Sequence, residues 1–231
     1  MKLTLSQNLT STVSAEFDPA THPNIKAFYK FKSLGGADIS NVSNWTDQTG
    51  NFDMLQATDS EKPQYTASTG AVSFDGANES LQTASDISLD EQFTIAVRLN
   101  LETPFNNDVV LADNTTTGHF IRIKDADTIT VRIAGSTAQD FDLNSGAIQD
   151  ATNFNLIVSR NDDGLIKIFF NGTEQTDTNT RTGTFLIDAI GVRATDANDL
   201  EGSIFEVQIY DDISFSTAGF ITKVNNRLAS L

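Results

Sequence analysis

The sequence predicts an all-β fold: an antiparallel sandwich, preceded by an extended arm over residues 1–23 and closed by a short helix over 214–230. Three observations predict it. Apolar and polar residues alternate at period two in several separate segments. Turn-forming residues punctuate those segments at short intervals. Only the last stretch of the chain changes to a helical period.

The arm, Met1 to Pro23, is rich in Ser, Thr and Asn and ends in Asp18-Pro19 and His22-Pro23. A residue before proline avoids the helical region, so an extended course is expected. From Ile25 the alternation begins: Ile25, Ala27, Tyr29 and Phe31 are interleaved with Lys26, Lys30 and Lys32. Phe93, Ile95, Val97 and Leu99 repeat the pattern, as do Ile129, Val131 and Ile133, and then Phe205, Val207 and Ile209. Such alternation places one face of a strand on a core and the other in water. Asp108–Leu111, Phe154–Val158 and Leu165–Phe170 are more continuously apolar and predict strands buried on both faces or covered by loops. Asn161-Asp162-Asp163-Gly164 and Asn171-Gly172 are turn signals, so 153–171 reads as a hairpin.

After Tyr210-Asp211-Asp212 the period changes. Phe220, Val224 and Leu228 recur at helical spacing with Ile221 beside them. Ser214, Ser216 and Thr217 are candidate N-caps, and Lys223 and Arg227 fall where they suit the helix dipole. With 231 residues and no repeat or shift of composition, one domain over 24–231, helix included, is expected. At that size folding removes roughly 70% of the accessible surface, enough for a real core.

Composition excludes several function classes. The net charge is −16 with pI near 4.2, and no stripe of Lys and Arg is present, so nucleic acid is not an expected partner. There is no Cys, which removes disulfides, thiol catalysis and Cys-based zinc. No stretch approaches the roughly 20 apolar residues of a membrane helix. The N-terminus carries no signal-like apolar run, so a soluble chain made in the cytoplasm is expected.

Five stretches, in order, resemble the laminin-G-like branch of the concanavalin-A-like lectin/glucanase superfamily, in versions found in bacterial and bacteriophage structural proteins. Asn44-Trp45-Thr46-Asp47-Gln48-Thr49-Gly50-Asn51 resembles that family's Trp-x-Asp-x-Ser-Gly-Asn turn, with Thr49 in place of Ser. Lys62-Pro63-Gln64-Tyr65, followed by Val72-Ser73-Phe74-Asp75-Gly76, resembles its Pro-x-Tyr segment and Phe-Asp-Gly strand end. Phe93-Thr94-Ile95-Ala96-Val97 is similar to one of its strands, and Ser159-Arg160 through Phe169-Phe170-Asn171-Gly172 to its hairpin. Gly202 through Asp211, with the helix, resembles its final strand and C-terminal helix. The resemblance spans residues 25–230 and implies a jelly-roll sandwich in which Trp45 is core.

The same superfamily contains glucanases, whose catalytic strand carries Glu-x-Asp-x-(x)-Glu. That motif is absent here. Asp90-Glu91 are adjacent and Glu201 and Glu206 are five apart, spacings that would put each pair on opposite faces of a regular strand. His22 and His119, the two histidines, read as arm and as loop or surface positions, leaving no catalytic triad. No enzyme activity and no required cofactor are expected.

Related modules bind calcium through Asp, Asn and backbone oxygens, so calcium is weighed as a ligand. Asp113-Asn114, Asp125 with Asp127, and Asp196 with Asp199 are loop candidates, each also explicable as a solvated turn. For sugar stacking, Tyr29, Tyr65, Phe105 and Phe120 are the available aromatics, with Phe105 before Asn106-Asn107 the best placed on a loop, unless it plugs the loop from below. The expected ligand site is therefore Phe105, Asn106, Asp113 and Asn114.

The expectation is a non-enzymatic bacteriophage virion surface protein, a capsid decoration or tail-fibre type. It would dock through its arm on a major capsid or tail protein and display a lectin-like sandwich to a cell-surface glycan, and a homotrimer would suit that role. The alternative is a carbohydrate-binding module of a bacterial surface or secreted protein.

Overall fold

The computed structural model describes residues 17–105, 107–193 and 198–231. The expected residues Asn106 and Asp196 and the arm up to residue 16 lie outside them. In chain order the strands are β1 (Ile25–Tyr29), β2 (Asn44–Trp45), β3 (Met54–Leu55), β4 (Gln64–Thr66), β5 (Ala71–Asp75), β6 (Leu81–Leu89), β7 (Phe93–Leu101) and β8 (Asp108–Ala112). They continue as β9 (Phe120–Asp125), β10 (Thr128–Arg132), β11 (Gln139–Asp142), β12 (Phe154–Arg160), β13 (Leu165–Phe170), β14 (Thr173–Thr180), β15 (Phe185–Ile190) and β16 (Glu201–Asp211). One helix, α1 (Phe220–Ala229), follows.

The strands form two antiparallel sheets. The first runs β14-β13-β12-β7-β16-β5-β4, and β1 also pairs with β16. The second runs β11-β10-β9-β8-β15-β6-β3-β2. In the first sheet β16 shares one edge between two partners. Its start pairs β5 and its end pairs β1, while β7 lies along its whole other edge. The expected hairpin is present as β12 and β13; β8 and β12 are buried at every position, whereas Leu165 and Lys167 of β13 are only half-buried. Asn171 and Gly172 take φ of 49° and 81° between Phe170 and Thr173, the left-handed pair that a two-residue hairpin turn needs.

The main core lies between the sheets. It is lined by the alternating residues of β7, β9, β10 and β16, with Trp45 1% exposed within it. Trp45 donates its indole N–H to Ser33 Oγ at 3.1 Å. The resembling turn after it is built on one carboxylate. Asp47, 1% exposed, accepts from the amides of Phe28 at 2.7 Å, Thr49 at 3.0 Å, and Asn51 and Phe52 at 3.1 Å, and from the Thr49 hydroxyl. That motif is therefore structural.

A second, smaller core sits on the outer face of the first sheet. There Ala96, Ile157, Phe169 and Tyr210 receive Phe220, Ile221, Val224 and Leu228 of α1. The helix is shorter than the expected 214–230. Its N-cap is Gly219 at φ 72°, with no side-chain capping bond; Ser214 and Thr217 instead close turns before it. The described end of the expected extended arm departs from an extended course. Pro19–Thr21 is a 3-10 turn capped by the Asp18 carboxylate, with Pro19 at the first position where its missing N–H costs nothing. Phe17 and His22 then pack on Phe220, with ring centroids 6.4 and 5.3 Å away.

Candidate functional site

The turn after β8 is held by its own side chains. Asp113 is 1% exposed, and its Oδ1 accepts from the Thr115 amide at 2.7 Å, the Thr115 hydroxyl at 2.6 Å and the Thr116 amide at 3.0 Å. Its Oδ2 accepts from the Thr116 hydroxyl at 2.7 Å. An Asp followed by hydroxyl residues folds in this way because the side chains compete for local backbone donors. The Asn114 amide leaves this turn and donates to Asp188 Oδ1 at 2.6 Å.

Asp188 comes from β15, where it interrupts an otherwise apolar strand. Ile187 pairs with Ile87 and Ala189 with Gln82, so residues 83–86 of β6 stand opposite the single Asp188. This bulge re-aims both strands. Thr83 Oγ1 secures it through the carbonyls of Ser85 at 2.7 Å and Asp188 at 3.3 Å, and the exposed Asp86 is carried alongside. Carboxylate oxygens of Asp86, Asp113 and Asp188 thereby lie within 4.8 Å of one another.

The electrostatics follow from the packing. Burial pushes the Asp188 carboxyl above its ordinary range. The Asn114 amide opposes that rise, and the charges of Asp113 and Asp86 add to it. Burial alone would raise Asp113 too, but the hydroxyls and amides of Thr115 and Thr116 outweigh it and hold that group below its ordinary value. The result is a mutually repelling set of oxygen donors, two of them buried and one exposed. Among the described residues nothing donates a hydrogen bond to Asp86, and Asp113 Oδ2 accepts only one, so lone pairs remain for a hard cation. An all-oxygen set of this kind fits calcium better than a transition metal.

His119 borders the cluster, and its position corrects the loop or surface expectation. It is 8% exposed and stacks on Phe185 at 5.9 Å. Its Nδ1 accepts from the amides of Ala134 at 3.2 Å and Leu186 at 3.3 Å. With Nδ1 an acceptor, it cannot donate to a carboxylate from that nitrogen as a triad histidine would.

A second concavity, a cleft of about 500 Å³, opens between the turns at the ends of β6, β12, β14 and β16. Asp90, Glu91, Asp162, Thr184 and Asp212 line it. Asp90 and Glu91 thus share one cleft, because they lie in the β6–β7 turn and the strand alternation does not apply to them. Arg160 ties the turns together: fully buried, it donates to the carbonyls of Glu91 and Gly183, each at 2.7 Å, and of Asp90.

Glu201 and Glu206 also depart from strict alternation, since β16 carries a bulge between Ile204 and Glu206. They still do not form a catalytic pair. Five strand residues separate their backbones by roughly 16 Å, beyond the ~5–9.5 Å that glycoside hydrolysis uses.

The expected site does not assemble as a unit. Phe105 is half-buried and packs against the main core, the plug under the loop. It lies before β8 and Asp113 after it, roughly 17 Å apart at ~3.3 Å per residue. Tyr29, Tyr65 and Phe120 are buried as well, so none is a free stacking platform. Asp125 and Asp127 form a solvated hairpin turn. Asp86 and Asp188 escaped the sequence reading; the one available signal was an Asp inside the apolar run Phe185–Ile190.

A family model described as the concanavalin A-like lectin/glucanases superfamily matches residues 75–216. No curated protein matches the sequence. Among solved structures, the chain is similar to domain 4 of a GH43 extracellular arabinanase from Geobacillus stearothermophilus, in complex with arabinotriose. The identity is 18% and the TM-score 0.60, over 89% of this chain and 98% of that one. It is also similar to Trypanosoma rangeli sialidase, at 10% identity and TM-score 0.59, over 88% of this chain and 32% of the sialidase. The ligand binding domain of Botulinum neurotoxin serotype D, in complex with N-acetylneuraminic acid, matches at 12% identity and TM-score 0.58, over 84% and 50%. At these identities the likeness is one of fold.

Proposed function

The chain belongs to the concanavalin A-like lectin/glucanase superfamily, and from that premise we propose that it is a non-catalytic glycan-binding sandwich whose Asp86, Asp113 and Asp188 hold a calcium ion. The observation that carries this reading is the convergence of three carboxylates from three distant segments, two of them buried. Buried like charges are costly unless something neutralises them, and a divalent cation does so while offering open positions to sugar hydroxyls. The arabinotriose and N-acetylneuraminic acid in two of the structures with this fold support a saccharide as the ligand class.

Non-catalytic status is supported by the engagement of the two groups best suited to chemistry. Glu206 is bound by Arg227, and His119 Nδ1 by two backbone amides. Incubation with β-glucan and arabinan is expected to release no reducing sugar; turnover would assign the acidic cleft a hydrolytic role instead.

We place this recognition on a bacteriophage particle, as a decoration or tail-fibre-type module, on the strength of the sequence motifs. Removal of residues 1–16 should then abolish attachment to particles, and unchanged attachment would remove the anchoring role of the arm. Calorimetric titration of calcium chloride tests the cation. One saturable site that Asp188→Asn abolishes is expected, and the absence of heat from the native chain would remove the cation from the reading.

A further inference from the structure

The outer face of the second sheet carries an arrangement that the acidic cluster does not explain. Phe120, Arg122 and Lys124 point to this face, because Ile121 and Ile123 between them belong to the main core. Across the strands the register aligns Asp140, Thr130, Arg122 and Val109 in one row. Two guanidinium groups meet over one ring: Arg122 lies 5.0 Å and Arg193 5.4 Å from the centroid of Phe120, itself 2% exposed.

The chain has 31 acidic residues against 15 basic ones, so an arginine has many carboxylates to choose from. Arg98, Arg132, Arg160, Arg181 and Arg227 each donate to a side-chain or carbonyl oxygen. Among the described residues Arg122 donates to none. Its Nε is sealed from solvent without an acceptor, while its outer nitrogens keep solvent contact. The nearby Asp140 is engaged elsewhere, accepting from Lys124 Nζ at 2.6 Å and from Thr130 Oγ1 at 2.7 Å. A half-buried guanidinium with no hydrogen-bond acceptor among the described residues is costly to keep. Stacking on Phe120 fixes its plane without using its donors, which is how a fork is pre-organised for an incoming oxyanion. Burial, with Arg193 adding to it and the Asp140 charge opposing it, lowers the Arg122 pKa, and a bound anion relieves that.

We propose that Arg122, stacked on Phe120, is a subsite for the carboxylate of an acidic sugar, a hexuronic or sialic acid, on the outer face of the second sheet. The net charge of −16 selects this class. It repels polyanions such as nucleic acid and anionic membranes, whereas a saccharide brings one negative charge among neutral hydroxyls. The subsite rests on the glycan-binding reading and extends it by naming the sugar.

Titration by saturation-transfer NMR and calorimetry tests it. The probes are glucuronic acid and N-acetylneuraminic acid, against glucose and N-acetylglucosamine, at low ionic strength. The native chain is expected to bind at least one acidic sugar roughly tenfold more tightly than its neutral counterpart, a preference that salt weakens. Arg122→Gln should abolish the preference at unchanged melting temperature. Arg122→Lys, which keeps the charge and loses the fork, should retain part of it, and serves should the Gln variant fold poorly. Equal binding of acidic and neutral sugars overturns the subsite and leaves the glycan-binding reading standing, as does acidic-sugar binding unaffected by Arg122→Gln. Sulfate or inorganic phosphate bound as tightly as the acidic sugar overturns the assignment to a sugar. No binding of any of the four sugars overturns the subsite, and a glycan array silent with calcium would then remove the wider reading as well.

Discussion

Arg227 of α1 and Glu206 of β16 form a bidentate pair, Nη2 to Oε2 at 2.8 Å and Nε to Oε1 at 3.1 Å, with the Glu206 side chain fully buried. Gln208 Nε2 donates to Oε1 at 2.8 Å and the Phe31 amide to Oε2 at 3.1 Å, so each oxygen of the carboxylate has two donors. Truncating one partner strands the other charge. Arg227→Ala should cost about 3–5 kcal/mol in urea unfolding, much of which the double change Glu206→Leu/Arg227→Met should recover. Equal losses in the single and double variants would show that the pair is not what pins the helix.

Asp47 predicts a loss of similar kind beside β1, from whose Phe28 amide it accepts. Asp47→Ala leaves four amides without their acceptor. Stability should fall by about 3 kcal/mol or more. Trp45 fluorescence should report the same transition, since Trp45 lies in the main core beside Tyr29 at 5.8 Å.

Glu79 sets a pH dependence. Burial, with the Asp75 charge adding to it, raises its carboxyl from 4.5 to about 7, against a lowering bond from the Asp75 amide. A carboxyl raised on folding contributes stability that is full below pH 4.5 and is lost as pH rises through about 7. Glu79→Gln keeps an acceptor for the Asp75 amide and should flatten this part of the pH–melting curve. A native curve already flat between these limits would contradict the assignment.

Asp188 links stability to calcium. Its raised carboxyl means that its charge destabilises the metal-free fold at neutral pH, so Asp188→Asn should melt no lower than the native chain in chelator. With calcium at about 100 times its dissociation constant the native chain should gain about 2.7 kcal/mol. The variant should gain nothing. Thermal melts of both proteins in both buffers decide this.

The sequence carried the fold well and the site poorly, for physical reasons. Alternation and turn residues report on local backbone and on which face is buried, so β7, β10, β12 and β13 and the Asn171-Gly172 turn were legible. Register and bulges depend on partners far away in the chain. Nothing local says that residues 83–86 stand opposite Asp188, and the cluster exists only because they do. Asp113 was legible as a loop carboxylate, yet its companions were not. The bulge before Glu206 defeated a face assignment that assumed a regular strand. Phe105 read as a loop-borne platform or as a plug, and contact with the main core decided for the plug.

The most direct test of the central claim is a glycan array probed with the purified chain, in calcium and again in chelator. Binding of a defined set of glycans in calcium, lost in chelator and lost for Asp188→Asn, is the predicted result. An array silent in both buffers, or binding indifferent to calcium and to Asp188→Asn, would contradict a calcium-assisted glycan-binding sandwich.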